Sequence, residues 1–161
     1  MLRNFSFLLP GQLAGSGRPG LSHSLREDLE FLRESKITAI VSVTEEPLEK
    51  HELDLFCFRY LHLRVPDFSP PSVIQLEKAV RFIDDVINNN GAVLVHCLMG
   101  VGRTGTVLSA YLIFKGLFVD QALVQLRSLR PGSVETSSQV QMLKRFETLI
   151  RNSGTSIDES G

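Results

Sequence analysis

The segment from Val93 to Phe114 restricts the fold more than any other part of the chain. Val93-Leu94-Val95 is a β-branched apolar run without polar alternation, the pattern of a strand buried on both faces of a parallel sheet. It ends in His96-Cys97, passes through Leu98-Met99-Gly100-Val101-Gly102 and reaches Arg103-Thr104-Gly105-Thr106. From Val107 to Phe114 the sequence is apolar nearly all round, which predicts a central buried helix capped at Gly116. A buried strand feeding a buried helix through a short glycine loop points to a layered α/β fold.

The remaining elements fall on either side. Phe5–Leu9 and Gln12–Ala14 read as short strands around Pro10-Gly11, followed by the flexible stretch 15–20. Ser24 and Glu27 form a capping box ahead of Leu25, Leu29 and Leu32 at helical spacing. Ile37–Val43 and Cys57–Leu63 read as strands, and the intervening 50–56 carries no decisive pattern. Ser72 and Gln75 open an amphipathic helix carrying Val73, Leu76, Val80, Ile83 and Ile87, closed by Asn90-Gly91. Asp120–Leu129 is a shorter helix stopped before Pro131, and Thr136–Ile150 is the last. The expected architecture is α/β: a mostly parallel central sheet of four to five strands flanked by five to six helices. One domain is expected over 1–151, with a small polar tail, 152–161, that is disordered.

Composition narrows the function by exclusion. Seventeen Lys and Arg residues against eighteen Asp and Glu leave no basic field for nucleic acid. Two cysteines make no disulfide framework and fit a reducing compartment. His23, His51, His62 and His96 are scattered without metal-ligand spacing, so neither metal nor cofactor is expected. The only apolar run near the start, Phe5 to Leu9, is too short for a signal peptide or a membrane span. A cytoplasmic, monomeric protein without membrane attachment is the expectation.

The loop from Cys97 to Arg103 carries the chemistry. A strand turning tightly into a helix N-terminus aims successive N–H groups and the positive end of the helix dipole at one point, which suits an anion. Gly100 and Gly102 let the loop curl and bring those donors close. A cysteine at the base of that cradle is favoured as thiolate by the same field. Arg103 offers a planar fork matched to two equatorial oxygens of a phosphoryl group. A buried cysteine at a strand end is commonly just a small core hydrophobe. The joint pattern, with Leu98, Met99, Gly100, Val101, Gly102 and Arg103 lining an anion site, reads instead as thiolate attack on bound phosphate.

His96-Cys97-Leu98-Met99-Gly100-Val101-Gly102-Arg103-Thr104-Gly105 resembles the signature loop of the cysteine-based protein tyrosine phosphatase superfamily. The chain from about Asn4 to Ile150 resembles the small atypical dual-specificity phosphatases, archaeal members included. The match includes Asn4-Phe5-Ser6, Leu9-Pro10-Gly11, Val65-Pro66-Asp67-Phe68 and Leu129 to Thr136. The resemblance implies a phosphocysteine intermediate on Cys97 and phosphorylated protein or peptide substrates. It implies that Asp67, in a loop stiffened by Pro66, Pro70 and Pro71, protonates the leaving oxygen, with Phe68 shielding it from water. Thr104 would donate to the sulfur, and His96 would fix the loop by hydrogen bonding. Cleavage with an acid and a base predicts a bell-shaped pH profile.

Several residues keep two readings. Gln139 is either the fourth member of a capping box beginning at Thr136 or, by the resemblance, the group that positions the hydrolytic water. Glu135 is a turn residue or a secondary acid. Arg18 is a solvated loop charge or a rim contact to substrate, and Glu45 borders the cysteine face in a structural role. Cys57 reads as core, with a regulatory disulfide to Cys97 left open. The alternatives for function are a phosphatase of a phosphoinositide or RNA 5′ end and a catalytically silent phosphate-binding module. Uncharged Leu98, Met99 and Val101 weigh against polyanionic substrates.

Overall fold

The architecture was obtained as a computed structural model, which describes the backbone of residues 2–160 and the side chains of residues 2–153. Eleven elements follow in order: β1 (Ser6–Leu9), β2 (Leu13–Ser16), α1 (Leu25–Glu34), β3 (Ala39–Thr44), α2 (Lys50–Leu55), β4 (Arg59–Arg64), α3 (Val73–Asn88), β5 (Val93–His96), α4 (Gly102–Phe114), α5 (Val119–Leu129) and α6 (Ser137–Ser160). The five strands form one sheet in the order β1-β2-β5-β3-β4. Only the β1–β2 pair is antiparallel; β2, β5, β3 and β4 run parallel. The expected α/β architecture with a mostly parallel sheet is the one observed.

Strand alternation assigns the two faces. Leu13, Ala39, Val41, Val43, Val93 and Val95 join the core beneath α3, α4, α5 and α6. Their neighbours Ala14, Ile40 and Leu94 point the other way, into the core under α1 and α2 with Leu29, Leu32 and Leu53. Helix α4 is buried along nearly its full length, as its unbroken apolar run requires. Both halves of the Ser72–Gln75 capping box are formed, and Ser24 accepts from the Glu27 N–H at the start of α1.

Two local readings change. The undecided stretch before β4 is helix α2, which buries Leu53. Cys57 is exposed, not core. It sits just past α2 at φ +59°, where its N–H bonds the Asp54 carbonyl and the Phe58 N–H bonds the Leu53 carbonyl. That left-handed helix ending consumes two residues before extended backbone can begin, so β4 starts at Arg59. Cys57 therefore lies at the amino edge of the sheet, whereas Cys97 follows the carboxyl end of β5. The four residue steps of β5 alone separate these levels by about 13 Å, beyond the roughly 7 Å reach of a disulfide. The region expected as a tail at 152–161 follows α6 through Ser160; its side chains from residue 154 onward and all of Gly161 lie outside the described residues.

The parallel strands bring their carboxyl ends to one edge. Ser16, His96, Ser42 and His62 lie in register across β2, β5, β3 and β4. The loops leaving these ends carry Arg18, Cys97, Glu45 and Asp67. Ligands in open α/β sheets bind beyond this edge.

Candidate active site

The loop after β5 closes into a ring whose carbonyls are each held from outside. His96 Nδ1 lies 3.1 Å from the Cys97 carbonyl. The Arg18 N–H donates to the Leu98 carbonyl at 2.9 Å. Asn4 Nδ2 donates to the carbonyls of Met99 and Gly100, both at 3.2 Å, and Arg130 Nη2 donates to that of Gly100 at 2.6 Å. The Val101 carbonyl accepts from the N–H groups of Gly105 and Val134, and the Gly102 carbonyl from Thr106 Oγ1. In a trans peptide the C=O and the following N–H point in opposite directions. Pinning these carbonyls outward thus turns the N–H groups from Leu98 onward inward, a run of donors of the kind that suits an anion.

Cys97 sits at the floor of this ring, 3% exposed. Its Sγ accepts from the Gly100 N–H at 3.2 Å and from Thr104 Oγ1 at 3.0 Å. Both donors stabilise negative charge on sulfur. Gly100 is required twice over, by φ +80° and because a Cβ there would lie 2.5 Å from the Ser16 backbone. A Cβ at Gly102 would crowd the Glu135 carboxylate and the buried Gln139 amide.

His96 is wholly buried. A carbonyl only accepts, so the Nδ1 facing the Cys97 carbonyl carries the proton and Nε2 accepts from Ser42 Oγ at 2.5 Å. Ser42 in turn accepts from the Tyr60 hydroxyl at 2.7 Å, and Tyr60 accepts from the Leu48 N–H. Burial of the ring pulls its pKa from 6.5 down to about 3, against a smaller opposing effect of its bond to the Cys97 carbonyl. The imidazole is neutral and hydrogen-bonded at both nitrogens.

Arg103 is 2% exposed and its fork is already shared. Nη1 donates to Glu45 Oε2 at 3.0 Å and to the Val65 carbonyl at 2.9 Å, while Nη2 lies 3.3 Å from Asp67 Oδ1. Of its donors, Nη1 and Nη2 are thus engaged with Glu45, Val65 and Asp67, and Nε is the buried one without a partner. Glu45 turns its second oxygen to the Asp67 N–H at 2.7 Å. Its pKa is lowered, first by its own backbone N–H and then by Arg103 and the Asp67 N–H, against partial desolvation. Sequence reasoning left Glu45 as a bordering residue; here one carboxylate ties the arginine to the loop that carries Asp67.

Asp67 Oδ1 also accepts from the Phe68 N–H. Phe68 itself is 59% exposed at φ +63°, so the water shield expected from its ring is not formed in this conformation. Leu98 and Met99 are also exposed and make an apolar rim. On the far side, Gln139 is fully buried: Oε1 accepts from the N–H groups of Glu135 and Thr136, and Thr136 Oγ1 accepts from the Gln139 N–H. The capping box is thus real, and the same amide reaches toward the acid loop at the Ser69 carbonyl. Val134 precedes it at φ +64°, a strained setting for a β-branched residue, held by Arg127 on its carbonyl. The Arg18 guanidinium is not a freely solvated charge, since it donates to the carbonyls of Glu46 and Pro47. Sequence reasoning also missed Asn4 and Arg130, since nothing in their local pattern marks the loop they grip.

Cys97 with its two donors, the buried Arg103 guanidinium and Asp67 on a separate loop lie at the carboxyl edge of the sheet, the arrangement expected of the superfamily that the signature loop resembles. The family model described as "Polymorphic toxin system, DSP-PTPase phosphatase" matches residues 14–117, and the chain belongs to this dual-specificity-phosphatase-like family. It is 32% identical over 124 residues to dual specificity protein phosphatase 1B of Arabidopsis thaliana, covering 76% of this chain and 72% of that one. It is 27% identical over 120 residues to the tyrosine-protein phosphatase CDC14 of Candida albicans, covering 74% of this chain but only 22% of that much longer protein. Among solved structures, Tk-PTP in the active form superposes with a TM-score of 0.82 at 34% identity, covering 92% of this chain and 99% of that one.

Proposed function

We propose that this chain is a protein phosphatase that hydrolyses phosphotyrosine and leaves phosphoserine and phosphothreonine open, through a phosphocysteine intermediate. The observation that carries the reading is the Cys97 sulfur with its two donors, Gly100 N–H and Thr104 Oγ1, beneath a loop whose carbonyls all point away. In the first step the thiolate attacks phosphorus in line; the S–P bond forms and the P–O bond to the leaving group breaks. Asp67 gives its proton to the departing oxygen. The inward N–H groups and the Arg103 guanidinium hold the three equatorial oxygens as charge redistributes. In the second step the Asp67 carboxylate takes a proton from water, whose oxygen attacks phosphorus. The S–P bond breaks, phosphate leaves, and Thr104 steadies the returning thiolate.

In this reading Glu135 and Gln139 stand above Gly102, on the side from which that water approaches. Nucleophile, acid and charge-stabilising groups all come from the chain, so the reading includes no cofactor. Among the described residues no helix is long and apolar enough to cross a membrane. We read the protein as a cytoplasmic monomer acting on phosphorylated proteins or peptides, not on nucleic acid.

A panel of phosphotyrosine, phosphoserine and phosphothreonine peptides alongside inositol phospholipids, with vanadate inhibition as control, tests this reading. Vanadate-sensitive turnover highest on phosphotyrosine peptide is expected. Preferential turnover of an inositol lipid would replace the substrate class, and no turnover of any ester would return the chain to a phosphate-binding module.

A further inference from the structure

The inward orientation of the amide ring depends on groups far from it in sequence, and at Met99 and Gly100 those groups belong to two residues. Both carbonyls accept from Asn4 Nδ2, and that of Gly100 accepts also from Arg130 Nη2. Asn4 and Arg130 are themselves joined, since Arg130 Nη1 donates to the Asn4 carbonyl at 3.0 Å, to Ser6 Oγ at 2.7 Å and to the Gly15 carbonyl at 3.1 Å. Arg130 is buried, and burial lowers its pKa while the neighbouring Cys97 charge opposes that shift. Asn4 has φ +54°, a left-handed setting that asparagine tolerates better than most residues, and this turn aims its amide at the loop.

We infer that Asn4 and Arg130 form a latch that makes the N-terminal segment a positioning element of the phosphate site. Holding the Met99 carbonyl outward aims the Gly100 N–H at Cys97 Sγ, where it is found at 3.2 Å. Holding the Gly100 carbonyl outward aims the Val101 N–H into the ring by the same peptide planarity. Gly100 has no Cβ to resist rotation of either adjoining peptide, so the latch, not the local backbone, selects the inward orientation. Without it, a carbonyl can rotate toward the anion and replace a donor by an acceptor. Neither residue touches the reacting atoms; both act through the loop.

The inference rests on the phosphate-site reading, and anion binding tests it without turnover. The probes are inorganic phosphate and vanadate, titrated calorimetrically into the wild type, Asn4→Gly and Asn4→Asp, with 15N spectra recorded alongside. Asn4→Gly keeps the left-handed backbone and removes the donor; its affinity for both anions is expected to fall about five- to ten-fold, the worth of one or two neutral hydrogen bonds. Asn4→Asp keeps the shape but sets an acceptor against two carbonyls, and a larger loss is expected. The Gly100 and Val101 amide resonances, which shift on phosphate binding in the wild type, should lose that response in both variants. A merely structural Asn4 would lower the melting temperature and leave the affinity and those resonances unchanged. Affinities within two-fold of wild type in both variants overturn the latch. If the wild type binds phosphate but turns over no ester, the phosphatase reading falls while the latch is still decided by the anion affinities.

Discussion

Glu45 Oε2 accepts from Arg103 Nη1 at 3.0 Å, and this ion pair leaves Nε of the buried guanidinium without a partner. Glu45 Oε1 holds the Asp67 N–H at the same time. One carboxylate thus ties the Arg103 guanidinium to the loop that carries Asp67. Because Glu45 is about half exposed, its value lies in geometry more than in net charge pairing.

Glu45→Gln should therefore reduce kcat/KM about ten-fold, the lower end for loss of a charge-assisted hydrogen bond, with little change in melting temperature. The loss should appear in both KM and kcat, since the arginine and the acid loop are loosened together. Steady-state kinetics on a phosphotyrosine peptide reads this. A loss confined to KM would mean that Glu45 serves the arginine alone.

Replacing Cys97, the nucleophile of the proposed mechanism, separates binding from chemistry. Cys97→Ser should abolish turnover, because a serine hydroxyl is a far weaker nucleophile than sulfur and a far poorer group to expel from phosphorus. Phosphopeptide affinity measured by calorimetry should stay within a few-fold of wild type, as the ring and Arg103 are untouched. Residual turnover above one part in about a thousand would point to another nucleophile.

Asp67→Asn removes the transferable proton and keeps the shape. The rate should fall about 100- to 10,000-fold on phosphotyrosine peptide, the usual contribution of a general acid. Aryl phosphates whose leaving groups need no proton should suffer much less. Equal slowing on good and poor leaving groups would assign Asp67 to loop structure, through its contact with Arg103.

The buried His96 makes stability sensitive to acid. Its folded pKa of about 3 lies below the ordinary 6.5, so between these values the unfolded chain takes up a proton that the native ring refuses. Its full contribution is present above pH 6.5 and is lost as pH falls toward 3. Urea unfolding should show a stability about 2 kcal/mol lower at pH 5 than at pH 7.5. Equal stability at the two pH values would show that the ring is protonated or reached by water in the native state.

Cys57 offers a gain. Its φ of +59° at the end of α2 is a glycine position, and its side chain is exposed. Cys57→Gly should raise stability by up to about 1 kcal/mol by removing the Cβ penalty of the left-handed conformation, read as a higher urea midpoint with unchanged activity. A lower midpoint would mean that the thiol makes packing contacts worth more than that strain.

Much of this protein was legible along the chain. The buried strand and helix around Cys97, the capping boxes at Ser72 and Thr136, and the nucleophile, its arginine and its threonine are written in contiguous residues. Their geometry follows from one strand, one short loop and one helix N-terminus, so local rules reach them. Cys57 was misread because a two-residue helix ending displaced the start of β4, a detail that side-chain character does not record.

What the chain could not state alone is which distant groups complete the site. Glu45, Asn4, Ser42, Tyr60 and Arg130 lie between 33 and 93 residues from Cys97 in sequence. Glu45 follows the carboxyl end of β3, and Ser42 and Tyr60 lie on neighbouring strands β3 and β4. Asn4 precedes antiparallel β1 and Arg130 follows α5, so they converge only once the sheet and its helices are assembled. Each has an ordinary polar role available locally, a turn, a solvated charge or a strand-surface hydroxyl, and no spacing rule distinguishes that from a hydrogen bond across the fold. The amino-acid order determined the reacting groups; the register of the sheet decided how they are held.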